Sequence, residues 1–126
     1  MSRGKHGFQI KRVYDELSSS DGARFLVDRL WPRGVKKSTL SSVTWLRDVA
    51  PSALLRKWFG HDPARWPKFQ KRYRAELKKN SIACKPLWEA IQKSDVTLLF
   101  GAKDPDMNNA VVLKRFLEEE TSGGRS

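Results

Sequence analysis

Short runs of β-forming apolar residues mark the predicted strands of this chain. Residues 25–27 and 96–100 are two such runs, and charged or glycine residues follow each of them directly. Runs of this length, bounded by turn signals, predict buried strands. Residues 8–14 carry β-formers in imperfect alternation, which predicts an earlier strand ending at Asp15.

Apolar residues at three- and four-residue steps mark the predicted helices. Trp66, Phe69, Tyr73 and Leu77 form such a stripe and predict a long helix. The pair Asp62-Pro63 precedes it, and an Asp followed by Pro is typical of a helix N-terminus.

Other start and stop signals predict further helices. Residues 52–59 are predicted to form one, which Gly60 ends in a left-handed conformation. Another begins at Pro86, and a last one is capped by Asn108 or Asn109. Serines 41 and 42 suggest a short helix that carries Trp45, Leu46 and Val49 on one side.

Buried strands separated by helices predict an α/β fold, with a small, mostly parallel sheet of three to four strands and helices packed on both faces. Residues 15–23 are a short connection that has room for one helical turn. A right-handed crossover usually needs about a dozen residues, so both a hairpin and a tightly connected parallel pair remain open for the first two strands. We expect one domain over residues 1–126, with mobile tails at 1–7 and 121–126.

Charge narrows the choice of partners. Lysine and arginine number 25 against 14 aspartate and glutamate, giving a net charge of +11 over 126 residues. Such a balance attracts polyanions, although basic enzymes of small anionic substrates share it. No stretch approaches a membrane span and the start of the chain lacks a secretory signal, so we expect a cytoplasmic protein that does not contact a membrane. The sequence predicts no oligomeric state.

Cysteine and histidine are too few to indicate a metal centre. The single cysteine, Cys84, is expected to fill apolar space, and the two histidines show no metal-ligand spacing. The sequence therefore predicts neither a metal site nor a cofactor.

The residues that follow the strand at 25–27 are the main candidate site. Asp28, Arg29 and Arg33 come just after it, and the carboxyl-terminal edge of an open α/β sheet is where ligands bind. Arginine offers a planar fork for phosphate or carboxylate, which predicts a cation-rich pocket with Lys37 as a further cation. A structural Asp–Arg pair that closes the strand end is the alternative.

Two further segments supply candidates. The loop 101–109 connects a buried strand to a helix start, where free N–H groups favour an anion and Asn108 positions it. Ser52, Arg56 and His61 come from the segment around the helix 52–59. His61 has a reference pKa near 6.5, so it is the candidate proton carrier, with Asp28 as the other catalytic candidate.

Together these residues resemble the YeaO-like family within the domain-of-unknown-function family 488. The most specific string is Val27-Asp28-Arg29-Leu30-Trp31-Pro32-Arg33-Gly34. The other segments that carry the resemblance are residues 10–15, 21–26, 50–52, 55–63, 66, 73–77, 97–100 and 108–113.

The resemblance implies a compact α/β fold but no particular reaction or substrate. The positions that it singles out are Asp28, Arg29, Trp31, Arg33, Lys37, Ser52, Arg56, His61 and Asn108. Family members often have a histidine where this chain has Met107, and this departure favours a binding role over catalysis.

Three functions are therefore weighed. The first is a pocket for a small phosphate- or carboxylate-bearing ligand, in a binding module or an enzyme. The second is nucleic-acid binding through a basic helical face, which consists of Arg65, Lys68, Lys71, Arg72, Arg74, Lys78 and Lys79. The third is a protein-interaction module, because five tryptophans are many for this length.

Overall fold

A computed structural model describes residues 6–122 as four strands and four α-helices joined by short 3-10 turns. The strands are β1 (Phe8–Arg12), β2 (Ala23–Leu26), β3 (Val43–Trp45) and β4 (Val96–Phe100). The helices are α1 (Ala53–Phe59), α2 (Trp66–Lys79), α3 (Lys85–Ile91) and α4 (Asn109–Ser122). The α/β prediction is confirmed.

All strand pairs of the sheet are parallel, in the order β1-β4-β2-β3. Strand β4 lies between β1 and β2, so that Leu98 pairs with both Ile10 and Phe25. The first two strands are therefore neither a hairpin nor adjacent, because the last strand of the chain separates them. Every residue of β4 is buried, as its apolar composition predicts.

The two faces of the sheet are covered differently. Phe25, Val27, Leu98 and Phe100 pack in one core cluster with residues of all four α-helices. Leu26 and Leu99 alternate with them and pack on the other side with Leu40, Trp31 and Trp45. That second face is covered by the segment after β2, which contains the 3-10 helix Lys37–Leu40.

The predicted helix after Ser41 and Ser42 is wrong. Val43–Trp45 is an edge strand that pairs with Arg24–Leu26 of β2, and a 3-10 turn, Arg47–Val49, follows it. The serines look like a helix cap in sequence, but pairing with the exposed edge of β2 satisfies the backbone instead. Local capping signals lose to this tertiary hydrogen bonding.

Most of the other helix-end predictions are confirmed. Gly60 is left-handed at φ 53°, as predicted, whereas Ser52 is the N-cap of α1 and not its first residue, since its hydroxyl accepts the N–H of Leu55. Asp62 caps Ala64, where a 3-10 turn precedes α2. Asn108 Oδ1 accepts the N–H of Val111 at the start of α4.

The prediction of mobile tails at 1–7 and 121–126 stays a prediction. Residues 1–5 and 123–126 lie outside the described residues. His6 Nδ1 lies 2.9 Å from the Ile91 carbonyl oxygen, and the Gly7 N–H donates to Asp95. These two residues are therefore bound to the body of the domain. None of the helices within residues 6–122 has the length and apolar composition that a bilayer crossing requires.

A buried carboxylate fixes the start of β2. Asp21 is 1% exposed and accepts hydrogen bonds from Lys11 at 2.7 Å and Arg24 at 2.9 Å. Burial alone would raise the pKa of Asp21, but the bonds from Lys11, the Ser18 N–H and Arg24 outweigh it and lower the pKa to about 2. This network lies at the amino-terminal end of the strand whose other end carries Asp28.

Candidate functional site

A cavity of about 500 Å³ opens at the carboxyl ends of β2 and β4. Its size lies within the range of small-molecule sites. Cations, one carboxylate, amides and aromatic rings share its lining. The polar and charged lining residues are Asp28, Arg29, Arg33, Arg56, Lys57, His61, Asn108 and Asn109. A cavity therefore lies beside Arg33, at the sheet edge where the sequence predicts a cation-rich pocket.

Asp28 is the acidic group of this cavity. The Gly101 N–H donates to Asp28 Oδ2 at 2.8 Å, and the Asn109 amide donates to Oδ1 at 3.2 Å. Burial raises the pKa of Asp28, while these two bonds and the charge of Arg56 oppose the rise. The carboxylate is therefore held in one orientation by the end of β4 and the start of α4.

Gly101, which directly follows β4, lies close to the Asp28 carboxylate. A Cβ atom on Gly101 would lie 3.1 Å from Asp28 Oδ2, tighter than ordinary van der Waals contact. The missing side chain lets the backbone N–H reach the carboxylate directly.

Two tryptophans hold the loop that follows Asp28. Trp45 Nε1 donates to the Asp28 carbonyl at 2.8 Å, and Trp31 Nε1 donates to the Val35 carbonyl at 2.6 Å. Their rings meet edge to face, with centroids 5.2 Å apart. Trp31 is therefore a packing residue on the second face of the sheet, and it fixes the loop that carries Arg33.

Arg29 links the site to the start of α1. Its Nε donates to the Pro51 carbonyl at 3.0 Å, and a terminal nitrogen donates to the Ala50 carbonyl at 3.5 Å. Arg29 lines the cavity, but two of its nitrogens already bind backbone. Its main contribution is the placement of the segment before α1.

The remaining cations lie on the accessible side. Arg33, Arg56 and Lys57 are exposed and line the cavity. Arg33 lies in the loop that follows β2, whereas Arg56 and Lys57 are consecutive residues of α1. Their convergence depends on the packing of α1 beside the sheet edge, and sequence order alone does not show it.

His61 lies at the edge of the cavity in an unusual backbone conformation. Its φ is 57°, and it is the only non-glycine residue with positive φ in residues 6–122. His61 also lines an adjoining hollow that contains Asp104 and Met107. Backbone N–H groups of Asp106 and Met107 lower the pKa of Asp104, and the charge of His61 lowers it further.

The asparagine pair separates into two roles. Asn108 is buried, caps α4 and donates from its amide nitrogen to the Asp104 carbonyl at 2.8 Å. The Asn109 amide bridges Asp28 and the Val27 carbonyl. Sequence reasoning chose Asn108 and missed Asn109, although the doubled asparagine was a signal for both.

Two predicted ligand residues lie elsewhere. Ser52 is not part of the cavity lining, and its hydroxyl donates to Glu76 at 2.6 Å while it caps α1. Lys37 is exposed at the start of a 3-10 turn and is likewise not part of the lining. Lining residues outside the predicted ligand set include Lys57 and Tyr14.

The other surfaces are more ordinary. Arg65 and Arg72 stack on Trp58, and Arg74 pairs with Glu119, so part of the basic face of α2 is engaged within the chain. All five tryptophans are partly buried. Cys84 is fully buried, which raises the pKa of its thiol to about 11. Within residues 6–122, no three His, Cys, Asp or Glu side chains are grouped to hold a metal ion.

Comparison with known proteins adds a family match. The model of a family described as the inactive DUF488-N3 subclade matches residues 7–125. The uncharacterized protein YeaO of Escherichia coli K12 is 43% identical over 109 residues, covering 86% of this chain and 95% of that protein. The uncharacterized protein Rv3073c of Mycobacterium tuberculosis H37Rv is 38% identical over 109 residues, covering 86% of this chain and 92% of that protein. No solved structure matches the chain.

Proposed function

The chain belongs to the inactive DUF488-N3 subclade, whose YeaO-like relatives it matches along most of their length, and from this premise we propose that it binds a small phosphate- or carboxylate-bearing ligand in the cavity at the strand ends. The observation that carries the proposal is the convergence of Arg33, Arg56 and Lys57 on one 500 Å³ cavity. Exposed cations around a concave site attract an anion and can bind it with charge-assisted hydrogen bonds.

Binding is favoured over catalysis. The family is described as inactive. At Met107, which lines the adjoining hollow, the resemblance implies a histidine that this chain lacks. His61 and Asp28 remain the candidates for proton transfer. Each has a role in the cavity that does not require chemistry, since Asp28 organises the start of α4 and His61 lines the entrance.

A thermal-shift screen tests the proposal. Nucleotides and phosphorylated metabolites are added to the purified protein at fixed ionic strength, and the midpoint of unfolding is measured. A ligand at 100 times its Kd adds about 2.7 kcal/mol. For a chain of 126 residues, this corresponds to a rise of about 10 °C.

Two variants with the same charge change separate site binding from general attraction. Arg33→Ala removes a cation that lines the cavity, whereas Lys37→Ala removes an exposed cation beyond the lining. We expect Arg33→Ala to lose the shifts and Lys37→Ala to keep them. Equal effects of the two variants would show that the cavity does not bind the anion.

A second candidate function, nucleic-acid binding, is favoured by four exposed lysines on α2, namely Lys68, Lys71, Lys78 and Lys79. Their charges track one helix face and suit a phosphate backbone. Affinity for mixed DNA and RNA would then fall steeply with salt. Replacing the four lysines with alanine would reduce that salt dependence. If binding depends neither on salt nor on these substitutions, this face of α2 is not the nucleic-acid site.

A further inference from the structure

The cavity contains charges of both signs, and this restricts the ligand. Arg33, Arg56 and Lys57 are exposed, whereas the Asp28 carboxylate is partly buried among them. An anion that filled the whole cavity would be repelled by Asp28. The ligand must therefore keep its anionic group near the cations and bring a different group to the carboxylate.

The carboxylate has capacity left for hydrogen-bond donors. Each oxygen of Asp28 accepts one bond within the chain, from Gly101 or from Asn109. An ionised carboxylate offers about four acceptor positions in all. About two positions therefore remain, one on each oxygen, and a pair of adjacent N–H donors satisfies both at once.

The donors should belong to a neutral planar group. Four cations, Arg29, Arg33, Arg56 and Lys57, line the cavity against the single carboxylate, so an ammonium or guanidinium group would be repelled. Among the aromatic lining residues Phe59 and Phe69 are buried in the core, whereas Tyr14 is 47% exposed, and an exposed aromatic ring packs well against a flat heterocycle.

We propose that the ligand is a phosphorylated nucleotide whose base presents two adjacent N–H donors, as guanine does, with these donors on Asp28 and the phosphate among Arg33, Arg56 and Lys57. This inference rests on the proposed anion site and adds its specificity. The same chemistry is found in a free nucleotide and at the 5′-phosphorylated end of a nucleic-acid strand.

A ligand series on the wild-type protein tests the donor count without any substitution. GMP presents two adjacent donors, N1–H and N2–H, and IMP presents N1–H alone. AMP presents N6–H beside the acceptor N1, which the Asp28 carboxylate would repel, while all three carry the same phosphate. Isothermal titration at constant salt should rank them GMP, then IMP, then AMP. A good bidentate contact discriminates by about 10- to 100-fold, which is the expected ratio between GMP and AMP.

Substitution of Asp28 provides a second, independent test of the base contact. Asp28→Asn keeps the shape but places an amide donor where the base donors would bind, so the preference for GMP should disappear while phosphate binding remains. Asp104→Asn makes the same charge change in the adjoining hollow and should keep the preference. Comparing GMP with 5′-phosphorylated strands that begin with guanine or adenine identifies the source of the base.

The outcomes are distinct. Equal affinities for GMP, IMP and AMP, all lost in Arg33→Ala, would overturn this inference and leave the proposed anion site intact. A preference for GMP that survives in Asp28→Asn would also overturn it. If no compound in the wider screen gives an Arg33-dependent shift, the proposed function fails as well.

Discussion

Replacing Gly22 with alanine tests how strongly the close contact between Gly22 and Asp95 stabilises the start of β2, the strand that precedes Asp28. Gly22 has φ 68° and ψ −137°, a region that residues with a side chain rarely occupy. A Cβ atom there would lie 2.1 Å from the carbonyl oxygen of Asp95. That oxygen accepts the N–H of Ala23 at 2.9 Å, so the substitution also disturbs the first hydrogen bond beside the strand.

The expected loss follows from these two effects. The strained backbone accounts for about 1–3 kcal/mol, and the disturbed hydrogen bond adds about 1 kcal/mol. A total of about 3 kcal/mol is a large share of the 5–15 kcal/mol typical of a domain. With an unfolding entropy of about 2.1 cal/mol/K per residue over 126 residues, the midpoint of thermal unfolding should fall by about 11 °C.

Gly34 provides the matched control. Its φ is 76°, but a Cβ atom there would meet nothing within 4 Å. The positive φ strains an alanine there whatever the space around it, so Gly34→Ala should cost about 1–2 kcal/mol from backbone strain alone. Both variants are compared by urea unfolding followed by tryptophan fluorescence and by scanning calorimetry. Equal losses in the two variants would refute the role of the Asp95 contact.

Two further predictions concern single residues. Because the folded pKa of Asp21 is depressed to about 2 from its ordinary 3.8, its stabilisation is present above pH 4 and is lost as the pH falls through 2. Asp21→Asn should therefore be less stable than the wild type by about 2 kcal/mol at pH 5. Urea unfolding should show this difference in stability narrowing towards pH 2. A difference that does not depend on pH would contradict the prediction. The second prediction concerns His61, where φ is 57°. His61→Gly should change the free energy of unfolding by no more than about 0.5 kcal/mol, whereas His61→Val should lower it by about 1–2 kcal/mol more. Equal stabilities of the two variants would show that the conformation is not strained.

Sequence patterns were informative wherever the deciding interactions are local. The apolar run of β4, the left-handed Gly60 and the caps at Asp62 and Asn108 are all where the sequence predicts them. A cap depends on a side chain and an N–H two or three residues away, so the sequence contains both partners. The placement of Asp28 and Arg33 beyond a buried strand is of the same kind.

Edge pairing was not readable in this way. Val43–Trp45 is a strand because β2 offers it an unpaired edge. Val, Thr and Trp all favour strands, but a run of three residues is too short to outweigh the helix-cap signal of Ser41 and Ser42. The insertion of β4 between β1 and β2 pairs residues that are 88 positions apart for β1 and 73 positions apart for β2, and no local pattern records which strand lies beside which.

The sequence by itself determined the family, the α/β class and the presence of cations after a buried strand. Only the tertiary structure decided which of these groups meet: Gly101 and Asn109 hold Asp28, Arg29 is taken up by backbone carbonyls, and Ser52 turns to Glu76. The reason is physical. The chemical group of a side chain is fixed by a single residue, whereas a site depends on the distances between residues that are far apart along the chain. These distances are set by the packing of the sheet and its helices as a whole.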